Sequence, residues 1–71
     1  MVKVYTTNVH SVNSADVILV ELKRLHPVHR ITIDLEDIDR VLRIEGPEIE
    51  SELIIGCFVQ QGFICSEMND C

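Results

Sequence analysis

Residues 28–46 read VHRITIDLEDIDRVLRIEG, and how this stretch folds decides the architecture of the whole chain. Val28, Ile31, Ile33 and Leu35 mark a strand over 28–35, with His29, Thr32 and Asp34 between or beside them. Leu42 and Ile44 alternate with Val41, Arg43 and Glu45 over 40–45. Apolar and polar residues alternating at period two are the signature of a half-buried strand. Glu36, Asp37 and Asp39 form a tight acidic connection between the two, which predicts an antiparallel hairpin. Ile38 interrupts that polar loop and is placed to clip it down, and Gly46-Pro47 closes the second strand.

Upstream of the hairpin, Ala15, Ile18, Leu22 and Leu25 recur at steps of three and four, which predicts a helix over 14–26. Ser14 or Asn13 supplies the N-cap, Asp16 falls in the first turn, and Lys23 and Arg24 suit the negative end of the dipole. Pro27 stops this helix and biases His26 toward extended geometry. Nearer the N-terminus, Val2 and Val4 alternate with Lys3 and Tyr5, giving a strand over 2–7 with the valines on the packed face and Lys3 and Tyr5 on the wet one. Downstream, Pro47 suits a first helical position and Glu48, Glu50 and Glu52 favour the positive end of a helix over 47–61. Ile54, Cys57 and Phe58 form its core face, and Gly62 provides a left-handed C-terminal cap before a last strand over 63–67 and a frayed tail ending in Cys71.

The order strand, helix, strand, strand, helix, strand in a single 1–71 domain predicts an α+β sandwich of ferredoxin-like βαββαβ type. Two helices cover one face of a four-stranded antiparallel sheet of order 4-1-3-2 when both crossovers are right-handed.

Composition narrows the function. The chain has 71 residues, 46% hydrophobic and 25% charged, a globular balance rather than a disordered one. With 6 Lys and Arg against 12 Asp and Glu, the net charge of -6 opposes binding to phosphate backbones, so nucleic acid is not an expected partner. The longest unbroken apolar run is Val17 to Val20, too short to span a membrane. MVKVYTTNVHS at the N-terminus lacks the apolar core of a secretory signal, so a cytoplasmic protein is expected. Cys57, Cys65 and Cys71 form no C-x-x-C pair, and two buried thiols with one on the tail is the expectation. No nucleophile elbow, phosphate loop or motif-paired histidine suggests an enzyme.

The spacing Val28-x-x-Ile31-x-Ile33-Asp34-Leu35-Glu36 resembles the second-strand signature of the heavy-metal-associated domain family of copper chaperones and P-type ATPase tails. Leu42-Arg43-Ile44-Glu45-Gly46 resembles its third strand, and Gln61-Gly62-Phe63 falls where the family carries a glycine and an aromatic before the last strand. On this alignment the family's two metal-binding cysteines fall on Ser11 and Ser14, and the preceding methionine on Val9. A serine hydroxyl stays protonated near neutral pH and is a hard, weak donor, so no soft-metal site is expected at Ser11 and Ser14 and no cofactor is implied. The resemblance therefore implies a non-enzymatic domain without its thiolate site, acting as a protein-interaction or accessory module. Its docking surface, carried over by position, is Val9, His10, Ser11, Ser14 and Phe63.

The alternative is a carrier of Cu(I) or Zn(II) with a ligand set rebuilt from His10, Cys65 or a second subunit. The same element order is also shared by ACT-type small-molecule sensors, whose ligand sites form between paired domains. His26 and His29 flank Pro27 at a spacing that suits either weak metal binding or capping of the helix C-terminus. Asp34, Glu36, Asp37 and Asp39 lack the spacing of a calcium loop and read as a solvated turn. Both helices also carry more apolar residues than one packed face absorbs: Val17, Leu19 and Val20 on the first, Leu53, Ile55 and Val59 on the second. That surplus points to a homodimer, to a docked partner, or to helices buried more widely than one stripe.

Overall fold

β1 (Val2–Thr7), α1 (Val12–Leu25), β2 (Arg30–Asp34), β3 (Val41–Glu45), α2 (Ser51–Gln60) and β4 (Cys65–Glu67) follow one another along residues 1–68, the part of the chain that the computed structural model describes. Among these residues every strand pairing is antiparallel, in one sheet of order β2-β3-β1-β4. This is the expected 4-1-3-2 order read from the other edge, and the chain is a ferredoxin-like α+β domain. The expected tail thiol, Cys71, lies outside the described residues.

The hairpin that set the architecture pairs Ile31 with Ile44 and Ile33 with Leu42. Ile31, Leu42 and Ile44 face α1 and α2, whose Ala15, Ile18, Leu22, Ile54, Cys57 and Phe58 complete one buried cluster. The acidic connection stabilises itself locally. Asp34 Oδ1 accepts from the Glu36 N–H (3.0 Å), and Asp37 Oδ1 accepts from the Asp39 N–H (2.8 Å). Short carboxylates that bond their own backbone two residues on are standard turn formers. Ile38 does not clip the loop down; it is 92% exposed. The turn is held instead by Thr7, whose N–H donates to the Asp39 carbonyl (3.0 Å) and whose hydroxyl donates to the Arg40 carbonyl (2.7 Å).

In β1 the alternation is out of phase with the sequence reading. Tyr5 is fully buried and Val2 is half-exposed, so Lys3, Tyr5 and Thr7 occupy the helix-facing side. A tyrosine ring carries a large apolar body with one polar tip, and can serve the core when its hydroxyl finds a partner. That partner is Ser51 Oγ at 2.9 Å.

α1 begins earlier than expected. Ser11, in extended backbone, is the N-cap and its Oγ accepts from the Ser14 N–H (3.4 Å), which leaves Asp16 beyond the first turn. α2 begins later, at Ser51 rather than Pro47. The segment between is extended because Ile49 is drawn into the core while Glu48 and Glu50 stay exposed. The carbonyls of Pro47 and Glu48 are also taken by the His29 ring. Strand bounds are tighter than expected too. Val28 is exposed ahead of β2, and Phe63 and Ile64 form a connection rather than part of β4.

α2 ends as its glycine predicts. Gly62 has φ 84°, its N–H donates to the Val59 carbonyl (3.0 Å), and the Phe63 N–H reaches back to the Phe58 carbonyl (2.9 Å). These two bonds are a Schellman cap, which needs a left-handed residue at this position.

Candidate functional site

The surface carried over by position lies where β1 runs into α1 and α2 turns back toward β4. Asn8 ties these together: its N–H donates to the Ile64 carbonyl (3.3 Å) and its side-chain oxygen accepts from the Ile64 N–H (2.7 Å). The Schellman turn then sets Phe63 beside the first turns of α1. Ser14 and Phe63 come together with Asn13, Val17 and Gln61 around a shallow depression of about 240 Å³. Val17 is 53% exposed on its wall, and Phe63 is partly buried against the core.

The other carried-over positions divide. His10 and Ser11 are exposed. His10 Nδ1–H donates to the Asn8 carbonyl (2.9 Å), while Ser11 Oγ is occupied in capping α1. Val9 is fully buried and belongs to the core rather than to the surface, because the chain turns inward there before α1 begins. Asn13 and Gln61 carried no sequence signal for this depression. Val17 carried one, as an apolar residue surplus to the helix core.

The two thiols among the described residues are enclosed. Cys65 is 6% exposed opposite Thr7, and burial pushes its thiol up to about 12. Burial also raises the Cys57 thiol, with a smaller contribution from Glu21. A thiol so raised is protonated near neutral pH, and the thiolate is the metal ligand. Among the described residues no three His, Cys, Asp or Glu side chains converge to hold an ion.

Two further polar constellations involve residues far apart in sequence. Ser51, in the first turn of α2, receives a hydrogen bond from Lys3 Nζ (3.1 Å) and donates its single proton to Glu67 Oε1 (2.6 Å). Tyr5 must therefore be the donor in its bond to Ser51. These bonds fasten β1, α2 and β4 together, and separations of 46 and 48 residues for the Tyr5 and Lys3 bonds leave no local pattern to read.

The other constellation lies past the C-terminal end of α1. His26 caps the helix: its N–H and its Nδ1–H both meet the Leu22 carbonyl, at 2.8 and 3.1 Å. His29 does not cap. Its ring lies against Gly46, where a Cβ would come within 2.5 Å of it, and reaches the Pro47 and Glu48 carbonyls. The two imidazoles meet edge to face, their centroids 5.1 Å apart, and line a depression of about 390 Å³ with Pro47, Glu48 and Glu50.

Fold and surface together define a small ferredoxin-like domain with a shallow depression of mixed polar and apolar lining at one end and a histidine-lined one at the other. No helix among the described residues is long and apolar enough to cross a membrane. No protein-family model, curated protein or solved structure matches the chain.

Proposed function

We propose that the chain is a non-enzymatic, heavy-metal-associated-like module of the cytoplasm that docks a protein partner through the depression between Ser14, Val17 and Phe63, with His10 and Ser11 at its margin. The observation that carries this reading is the meeting of Ser14 and Phe63, two positions carried over from the resemblance, around a cavity walled by an exposed valine. An apolar side chain of the partner entering there would bury Val17 and the exposed part of Phe63, the arrangement of an anchor in a pocket. Where the family carries its thiolates, the Ser11 hydroxyl instead caps α1 by accepting from the Ser14 N–H. A carrier using His10 and Cys65 is disfavoured because Cys65 is enclosed, and burial pushes its thiol up, away from the thiolate that binds metal. Nucleic acid is disfavoured by the net charge and by the open sheet face, where Val4, Arg43 and Thr32 lie in register without an aromatic ring for base stacking.

A photo-crosslinking residue placed at Val17, compared with one at Thr32 on the open sheet face, tests the proposal in cells. A discrete adduct from position 17, lost when Phe63→Glu is added, is the expected result. Adducts from position 32 alone, or none from either, would overturn it. Sedimentation of the purified chain separates a foreign partner from a second copy, since a homodimer through Val17, Val20, Leu53 and Val59 would run above 8.1 kDa at micromolar concentration. Copper(I) and zinc competition against a chelator, with His10→Ala and Cys65→Ser, tests the carrier alternative.

A further inference from the structure

The histidine pair lies past the far end of α1 from the docking depression, about 20 Å along a helix of 14 residues. Nothing in the proposed docking function requires it. A carbonyl oxygen only accepts, so the nitrogen facing one must carry the proton. His26 therefore donates through Nδ1 to Leu22, which leaves Nε2 as the lone pair of its neutral ring. His29 donates through Nε2 to the carbonyls of Pro47 and Glu48, the latter at 3.1 Å, which leaves Nδ1 as its lone pair. That Nδ1 is buried with no hydrogen-bond partner. A buried acceptor without a donor is costly and calls for an explanation, an absent ion among them.

Both rings thus have the arrangement of metal-binding histidines, in which one nitrogen donates to a backbone carbonyl and fixes the tautomer while the other is free to coordinate. Their separation fits as well. With Zn–N bonds of about 2.0 to 2.1 Å, two imidazoles on one tetrahedral ion place their centroids roughly 5 Å apart; the 5.1 Å found here, with the rings edge to face, is compatible with a shared ion and equally with plain ring packing. His26 is 6% exposed and held by the helix end, and the His29 ring is seated against Gly46, so both rings are fixed in place. Glu48 and Glu50 line the same depression with exposed side chains, but neither converges on the two rings in this structure, so a carboxylate ligand has to swing in.

We infer that His26 and His29 form a two-imidazole site for a divalent transition-metal ion of zinc, nickel or copper type, completed by Glu48 or Glu50 swinging in and by water. Imidazole with carboxylate selects such ions over calcium or magnesium, which prefer oxygen donors alone. Binding would join the end of α1 to the segment that leads into α2.

The test is a zinc titration of the full, reduced, 15N-labelled chain, followed by imidazole nitrogen resonances. The sequence has three histidines, so His10 is an internal control. In the metal-free chain His26 is expected as the Nδ1–H tautomer and His29 as the Nε2–H tautomer. Micromolar zinc should shift His26 Nε2 and His29 Nδ1 together and saturably, leaving His10 unmoved. Glu48→Gln with Glu50→Gln should weaken the effect at least tenfold without disturbing the fold. His29→Gln should abolish it, and the wild-type titration decides the matter even where that variant unfolds. No response of the pair at millimolar zinc, or a response at His10 first, would overturn the inference and leave the two rings a capping and packing pair.

Discussion

Tyr5 shows what a single residue can hide. Read along β1, two valines alternate with a lysine and a tyrosine, and the valines take the core by default. The structure reverses the phase because the tyrosine ring fills the core and its hydroxyl reaches Ser51, and that partner is invisible to a periodicity. Val9 and Ile38 miss for the mirror-image reason: burial depends on where the chain turns, which composition does not report. The Tyr5 bond has a measurable consequence. Tyr5→Phe keeps the ring and removes the donor, and should lower stability by about 1 kcal/mol. Ser51 still bonds Lys3 and Glu67, so the loss should shrink markedly in a Ser51→Ala background. Urea denaturation of the two single variants and the double variant reads the coupling, and simple additivity would show that the hydroxyl contributes through something else.

At the scale of elements, helix ends were legible where backbone geometry demanded a particular residue and illegible where several residues would serve. Gly62 marked the end of α2 correctly because a left-handed φ of 84° is open to few other residues. The start was misread because Pro47 and three glutamates satisfy a helix N-terminus equally well, while the pull of Ile49 into the core is a tertiary effect. The same ambiguity among Ser11, Asn13 and Ser14 shifted α1. The two glycines of this region should therefore respond to alanine with opposite signs. Gly62→Ala places a Cβ in left-handed backbone and should cost roughly 1 to 2 kcal/mol. Gly56 sits inside α2, where an added Cβ meets nothing within 4 Å. Gly56→Ala should stabilise by roughly 0.5 to 1 kcal/mol through helix propensity. Thermal unfolding of both variants measures this, and a destabilised Gly56→Ala would mean that the open space beside α2 is used by the folded chain.

For the whole molecule, the hairpin and the element order sufficed to give the sheet topology, whereas the site came only in part, because Ser14 and Phe63 are brought together by Asn8 and a turn rather than by spacing. One property of the assembled core concerns the entire fold: its behaviour at high pH. Burial raises the Cys65 thiol from 9.0 to about 12, raises the Cys57 thiol from 9.0, and raises the Tyr5 phenol from 10.0. Each group is thus easier to ionise in the unfolded chain than in the folded one. Below pH 9.0 both states hold the Cys65 proton and its contribution is intact. Between pH 9.0 and about 12 the unfolded chain has released that proton and the folded chain has not, so stability falls with rising pH, by up to about 1.4 kcal/mol per unit for one fully shifted group. A small core supplies only about 3 to 5 kcal/mol, so the full three units of this slope, about 4 kcal/mol at most, are comparable with the whole stability of the domain. Cys65→Val keeps an apolar side chain of similar size in β4 and removes the strongest of the three shifts. Its urea midpoint should match that of the wild type near pH 8 within the cost of repacking and decline distinctly less steeply toward pH 11, whereas parallel declines would show that the enclosed thiol does not set the alkaline limit of the fold.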